Sequence, residues 1–289
     1  MHSDSPSDWP TCDAPFGRLD PPQREASIGK RTLSAFTSQA SRPFDGSVPS
    51  TAEPASHQES AERFEPVTTI ASFAWPTVCR ALCQQCGTEL DRIADLLIRH
   101  AQEGRSLIGV IGMFPKVGAT TTTLCIANRI AARGRRTVVV EGNFLAPQLA
   151  DWLDAKPTAW WQDVLDRSVP AADAVIHAVD DHIDLLPLDA TTKYPLRLAG
   201  CFQATATADV LRAAYDLVLV DLGPFFDPEA QPITLQLART MQLDVCLAVA
   251  GPKGADPRDV ATVAEYLGRR GCHMLGTIEN RTANKSATT

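Results

Sequence analysis

The apolar run Leu107 to Ile111 leads into Gly112-Met113-Phe114-Pro115-Lys116-Val117-Gly118-Ala119-Thr120-Thr121, and helical spacing follows. A strand, a glycine-bearing loop and a helix in that order make a seat for phosphate. Backbone N–H groups point into the loop, and the helix start adds its dipole. A loop that also drives phosphoryl transfer reads G-x-x-x-x-G-K-[ST]. Its lysine reaches the β- and γ-phosphates and its hydroxyl reaches Mg²⁺. Gly118 and Thr120 hold their places in that pattern, Ala119 stands where the lysine belongs, and Gly112 is one residue out of register. Phosphate-binding positions are expected at Pro115, Lys116, Val117, Gly118, Ala119, Thr120 and Thr121. Lys116 lies three residues before Ala119 and is the cation that could lend charge there, unless it is simply a solvated lysine. The threonine run could equally be a helix start rich in capping hydroxyls.

Two further apolar runs end in oxygen donors: Thr137 to Val140 before Glu141-Gly142-Asn143, and Leu217 to Val220 before Asp221. Ligands of open α/β sheets bind at strand C-termini, and Mg²⁺ takes hard oxygen ligands. Thr120, Glu141, Asn143 and Asp221 are therefore the candidate Mg²⁺ set, with Asn143 contributing no charge. Cys79-x3-Cys83-x2-Cys86 has the spacing of an iron–sulfur motif of radical enzymes. Yet Leu82, Leu90, Ile93 and Leu97 continue the same helical stripe, and free cysteine packs as a small hydrophobe. Packing is the expected role, and no cluster is expected.

These groups need a frame. Pro76 opens a long amphipathic helix that runs to residue 103 and stops at Gly104. Strands are then expected over 107–111, 137–140, 183–186, 217–220, 245–250 and 274–278. Helices are expected over 120–133, 159–177 (broken by Pro170), 203–214, 231–241 and 256–270. That alternation implies an α/β fold, a mainly parallel sheet with helices on both faces. Trp160-Trp161 reads as core or lid packing. His177 and His182, beside Asp180-Asp181, lack a second ligand set for a metal. The Arg135-Arg136 and Arg269-Arg270 pairs read as solvated.

The chain has 289 residues, a net charge of −7 and eight cysteines. Residues 1–65 carry eight of the 21 prolines, ten acids and six Lys/Arg, so −4 of the charge lies there and −3 in the remainder. That segment lacks apolar periodicity and is expected to be a disordered tail, with the folded domain over 66–289. The charge balance argues against a nucleic-acid partner. No apolar run approaches the ~18 residues of a membrane span. The first residues, MHSDSPSDWP, have neither the basic start nor the apolar stretch of a secretory signal, so the expectation is a cytoplasmic chain with reduced thiols.

The ordered pieces resemble the P-loop ATPases of the MinD/ParA type, and most nearly the bacterial tyrosine kinases of polysaccharide export, over about residues 105–285. The loop of those kinases reads G-x-x-P-x-x-G-K-T, which Gly112, Pro115, Gly118 and Thr120 match and Ala119 does not. Their second motif, D-x-D-x-R, stands here as Glu141-Gly142-Asn143-Phe144-Leu145, with Pro147 following. Their third is met by Asp221-Leu222-Gly223-Pro224. Their last strand and its asparagine segment are met by Leu275 to Asn280, then Arg281. The resemblance implies a P-loop NTPase fold and a site for ATP or ADP with Mg²⁺, with Asn280 as a further nucleotide contact. It also implies a membrane-bound polysaccharide-export partner that would hold the chain at the inner membrane face, and ring-like self-association. The kinases autophosphorylate a C-terminal tyrosine cluster. The tyrosines here are Tyr194, Tyr215 and Tyr266, and the last residues are TANKSATT, so that activity is not expected. With the lysine gone and the second motif altered, the expectation is a nucleotide-binding or pseudo-enzyme regulator or scaffold. The alternatives are a divergent ATPase or kinase in which Lys116 and Asp221 do the work, and a positioning ATPase of the MinD/ParA type.

Overall fold

The computed structural model describes residues 64–281. Residues 1–63 of the expected tail, and residues 282–289, lie outside the described residues. In chain order the elements are β1 (Thr68–Ile70), α1 (Thr77–Gln85), α2 (Gly87–Gln102), β2 (Leu107–Gly112), α3 (Ala119–Ala131), β3 (Thr137–Gly142) and α4 (Leu149–Trp152). Then come α5 (Trp161–Leu165), α6 (Ala171–Ala174), β4 (Ile176–Ala178), β5 (Ile183–Leu186), α7 (Pro195–Ala199) and α8 (Phe202–Ala214). The chain continues through β6 (Leu217–Pro224), α9 (Ala230–Thr240), β7 (Val245–Ala250), α10 (Pro257–Gly268) and β8 (His273–Glu279).

One sheet forms in the order β1-β4-β5-β3-β6-β2-β7-β8. All neighbours pair parallel except β4 and β5, so β1 and β4 run against the other six strands. β2, β3, β5 and β7 are buried along their whole length because helices cover both faces. Successive residues of a strand serve opposite faces. Ile108, Val139 and Leu219 face a core shared with Leu90 and Leu97 of α2 and Leu124 of α3. Leu107, Val138, Val140, Val218 and Val220 face the other core, with Leu211 of α8, Leu237 of α9 and Val263 of α10. Each fully buried Leu, Ile or Val contributes about 1.5–3 kcal/mol of apolar transfer.

The lead-in helix breaks once. Cys86 leaves the helical region at φ −113°, and Gly87 restarts the chain as α2. The apolar stripe survives the break: Cys79, Leu90 and Leu97 are buried, and Leu82, Cys83, Cys86 and Ile93 pack beside them. Among the described residues no group of His, Cys, Asp or Glu is arranged to hold a metal. Two side chains of α3 reach α2. Arg129 makes a two-pronged pair with Asp91, both bonds 2.7 Å, and Arg133 bonds Asp95 at 2.7 Å. These pairs fix the axis of α3, the helix that the loop enters, although partial exposure limits their contribution to stability.

The stretch expected as helix over 159–177 is the largest departure. It holds only the short α5 and α6, and residues 176–178 form the strand β4. Pro170 removes a backbone donor before α6, and Arg167 takes a left-handed φ of 64° just before it. β1 and β4 have three residues each, too short for a period to show. Trp161 is fully buried and Trp160 packs on the α1–α3 core, which gives both tryptophans to packing. No helix among the described residues is long and apolar enough to cross a membrane.

Candidate functional site

The loop between β2 and α3 is held from three sides. Met113 N–H donates to the Val249 carbonyl at 2.8 Å, and Phe225 N–H donates to the Gly112 carbonyl at 2.7 Å. From the end of β8, Asn280 N–H bonds the Ala250 carbonyl at 2.8 Å, and the Asn280 amide Nδ2 donates to the Val117 carbonyl at 2.9 Å. Asn280 therefore braces the loop through its side chain. Lys116 and Gly118 both take left-handed φ, 61° and 86°. Alternating right- and left-handed residues turn successive N–H groups to one side, the geometry of an anion nest. Gly118 is needed on two counts: its φ, and space, since a Cβ there would lie 2.3 Å from Asn280 Nδ2.

A cavity of about 540 Å³ opens over this loop. All seven expected loop positions, Pro115 to Thr121, line it, as does Asn143. Lys116 is exposed at its rim, and no acid pairs with it among the described residues. Ala119 presents a methyl group to the same cavity. The rim is apolar. Phe114 stacks on Phe226 with ring centres 5.0 Å apart, and Leu145 and Trp152 are partly exposed beside it. Gln148 and Asp227 also line the cavity. Neither was evident beforehand, because each sits in an irregular segment brought to the loop only by the fold. An Asp-Pro pair before a helix was the one signal for Asp227, which receives the N–H groups of Glu229 and Ala230 at 3.0 Å.

The threonines divide their work. Thr122 and Thr123 hydroxyls bond back to the Gly118 and Ala119 carbonyls at 2.9 and 3.0 Å. They cap nothing, since the helix start at Gly118 carries no side-chain cap. Thr123 also reaches Asp221 at 3.4 Å, and the Thr120 hydroxyl stands near enough to the same carboxyl to favour its charged form. Asp221 sits on β6 between Val110 of β2 and Glu141 of β3. It is 1% exposed. Desolvation raises its pKa to about 7, the two hydroxyls pull it back in part, and the Glu141 charge adds to the rise. Thr120 is half-buried and lines the cavity, while Asp221 lies behind its wall; a hydroxyl and a carboxyl are the ligand types that Mg²⁺ takes.

Glu141 is placed differently from that expectation. Its carboxylate accepts the N–H groups of Gln148, Leu149 and Leu188, the last two at 2.8 and 3.2 Å. Burial still raises its pKa to about 7. The longer stem carries the carboxyl past the strand end to the start of α4, and Glu141 does not line the loop cavity. Asn143 does line it, with Nδ2 turned to the Ala146 carbonyl at 3.2 Å.

Of the thiols, Cys79, Cys83, Cys86, Cys125, Cys201, Cys246 and Cys272 are free. Cys125 donates to the Cys79 carbonyl at 3.7 Å. A bond from Cys125 and the nearby Arg129 charge lower Cys83 to about 7 against some desolvation. His177 bonds Asp184 on the neighbouring strand, and Asp181 accepts Phe73 N–H at 2.7 Å and Trp75 Nε1–H at 2.8 Å. Asp181 thus anchors the lead-in segment.

No family sequence profile and no curated protein matches this chain. Solved structures do. The fold is similar to the chimeric protein CapA2B2, at 16% identity, TM-score 0.62, covering 74% of this chain and 95% of that one. It is similar to the kinase domain of VpsO, at 20% identity, TM-score 0.61, covering 72% and 100%. It is also similar to the septum site-determining protein MinD of Pyrococcus horikoshii in complex with Mg-ADP, at 20% identity, TM-score 0.51, covering 63% and 72%. At these identities the likeness shows the fold, which is that of the P-loop NTPases.

Proposed function

We propose that this chain is a degenerate P-loop protein of the polysaccharide-export tyrosine-kinase type that binds ATP or ADP with Mg²⁺ weakly and acts as a regulator or scaffold rather than a catalyst. One observation carries the reading: α3 opens on the methyl group of Ala119, in the wall of the loop cavity, where transfer needs an ammonium. Phosphoryl transfer is mainly positioning and charge stabilisation, and removing one aimed donor costs roughly 10²–10³ in rate. Asn143 adds no charge, Glu141 holds backbone amides and Asp227 receives the N–H groups that open α9, which leaves Asp221, buried behind the cavity wall, as the acid for the ion. Binding is supported by what remains: the turned loop amides, Thr120 beside Asp221, and a cavity within the ~300–1,000 Å³ of small-molecule sites. Nucleotide would lie with its phosphates on Lys116 to Thr121, and Thr120 and Asp221 would hold the ion's water shell.

The family likeness supplies the rest of the proposal: a membrane-bound polysaccharide-export partner, a place at the inner membrane face through it, and self-association. A second reading rests on Lys116, whose left-handed φ sets an unpaired ammonium at the cavity rim. In that reading it replaces the missing lysine and the chain turns ATP over.

Titration of the full chain with a fluorescent ATP analogue, with and without Mg²⁺, and steady-state phosphate release separate the two. Weak Mg²⁺-dependent binding without turnover is expected. Turnover that Asp221→Ala and Lys116→Ala abolish would overturn the pseudo-enzyme reading. Co-purification with a membrane export protein, and not with DNA, tests the partner.

A further inference from the structure

A second cavity, about 640 Å³, lies at the edge of the sheet where β3, β5 and β6 begin. The phosphate loop follows the end of β2, so the two sites occupy opposite edges of the sheet. The turn from α3 to β3 makes the cationic wall. Gly134 takes φ 72° with no heavy atom near its missing Cβ, so it serves the turn and not packing. That turn delivers Arg135 and Arg136 together to the cavity. Neither guanidinium pairs with an acid among the described residues. Arg136 lies over the Tyr215 ring at 5.4 Å, which orients its planar fork without neutralising it.

The floor is a buried polar chain. Asp184, 5% exposed, accepts the Tyr215 hydroxyl on one oxygen and pairs with His177 Nδ1 on the other. Burial and the Asp184 charge keep the Tyr215 phenol protonated well beyond its usual range, so it stays a donor. With Nδ1 committed to Asp184, Nε2 is the ring nitrogen that His177 can offer to the cavity it lines. The other acid on the wall is Glu65, exposed at the mouth, and His182 stands opposite, also exposed. Two unpaired guanidiniums beside an oriented imidazole form a recognition set for a polyvalent anion. Arginine forks match phosphate oxygens two at a time, and the imidazole can bond a hydroxyl next to the phosphate.

We propose that this cavity binds a small organic phosphate, a phosphomonoester on a hydroxylated carbon skeleton, at a site separate from the phosphate loop. The phosphate lies between Arg135 and Arg136, and a hydroxyl of the skeleton meets His177. Nothing in the proposal depends on nucleotide binding at the loop.

Ribose 5-phosphate, ribose and succinate, titrated calorimetrically into the full chain, test it. The expected result is saturable binding of ribose 5-phosphate, with ribose and succinate each at least tenfold weaker. Arg135→Gln/Arg136→Gln should weaken binding about tenfold or more, the loss of one or more charge-assisted bonds. Arg135→Lys/Arg136→Lys should recover part of it. Gly118→Val, which blocks the other site, should leave it unchanged. Circular dichroism of each variant establishes folding. Three results would overturn the proposal: no binding up to about 10 mM, binding unaffected by the arginine exchange, or loss in Gly118→Val alone, which would place the phosphate on the loop. Binding of ribose or succinate as tight as that of the phosphate ester would overturn the ligand class.

Discussion

Replacing Asp221 by asparagine should make the protein more stable at neutral pH and flatten its pH dependence. Asp221 is 1% exposed and holds its proton up to about pH 7, whereas an unfolded chain releases it near 4. Between those values the native state carries the extra proton, so stability falls as pH rises and levels off above 7. At about 1.36 kcal/mol per pH unit the full span is on the order of 4 kcal/mol, and the part between pH 5 and 7 is about 2 kcal/mol. Asparagine resembles the protonated acid and can still accept from Thr120 and Thr123. The variant should therefore lose about 2 kcal/mol of the wild-type decline between pH 5 and 7. The slope that remains belongs to Glu141, whose carboxyl is also raised to about 7. Urea unfolding at pH 5, 6, 7 and 8, followed by tryptophan fluorescence, reads this directly, since Trp161 is buried. An unchanged slope, or a variant less stable than wild type at pH 8, would refute the desolvation argument. Mg²⁺ with nucleotide should narrow the gap at pH 8 in wild type and not in the variant, because only the carboxylate gains from a cation.

Ala119→Lys returns an ammonium to the loop cavity and should tighten Mg-ATP by about 10- to 100-fold, the worth of a charge-assisted bond. Unchanged affinity in the fluorescent-analogue titration would mean the loop no longer presents its amides. Gly118→Ala forces a Cβ onto Asn280 Nδ2 at φ 86° and should cost about 1–3 kcal/mol. A thermal midpoint equal to that of wild type would show that the brace at Asn280 yields freely. Cys83, lowered to about 7 and half-buried, should alkylate with iodoacetamide at pH 7.5 well before the buried Cys125 and Cys246. Peptide mass spectrometry that finds all three at one rate would contradict this.

The sequence by itself determined the framework. Long helices and buried strands repeat their apolar positions at 3.6 or run apolar throughout, and both patterns are local. The strands expected over 107–111, 137–140, 183–186, 217–220 and 245–250 were legible for that reason, and so was the strand–loop–helix from Leu107 through Gly118 into α3, with Asp221 ending an apolar run on the strand beside it. Tertiary structure decided what depends on distant partners. Glu141 and Asp221 look alike as acids ending apolar strands. Only the fold brings the N–H groups of Gln148, Leu149 and Leu188 to the one and the hydroxyls of Thr120 and Thr123 to the other. The three-residue strands β1 and β4 are held by their pairing and by burial of Ile176 and Ala178, not by a pattern long enough to read. The second cavity is the clearest case. Arg135-Arg136 looks solvated in sequence, and His177 looks like a histidine beside an acidic turn. The sheet brings both to one cavity that Asp184 and Tyr215 also line, Arg136 lying over the ring of the distant Tyr215, and such proximity has no local signal.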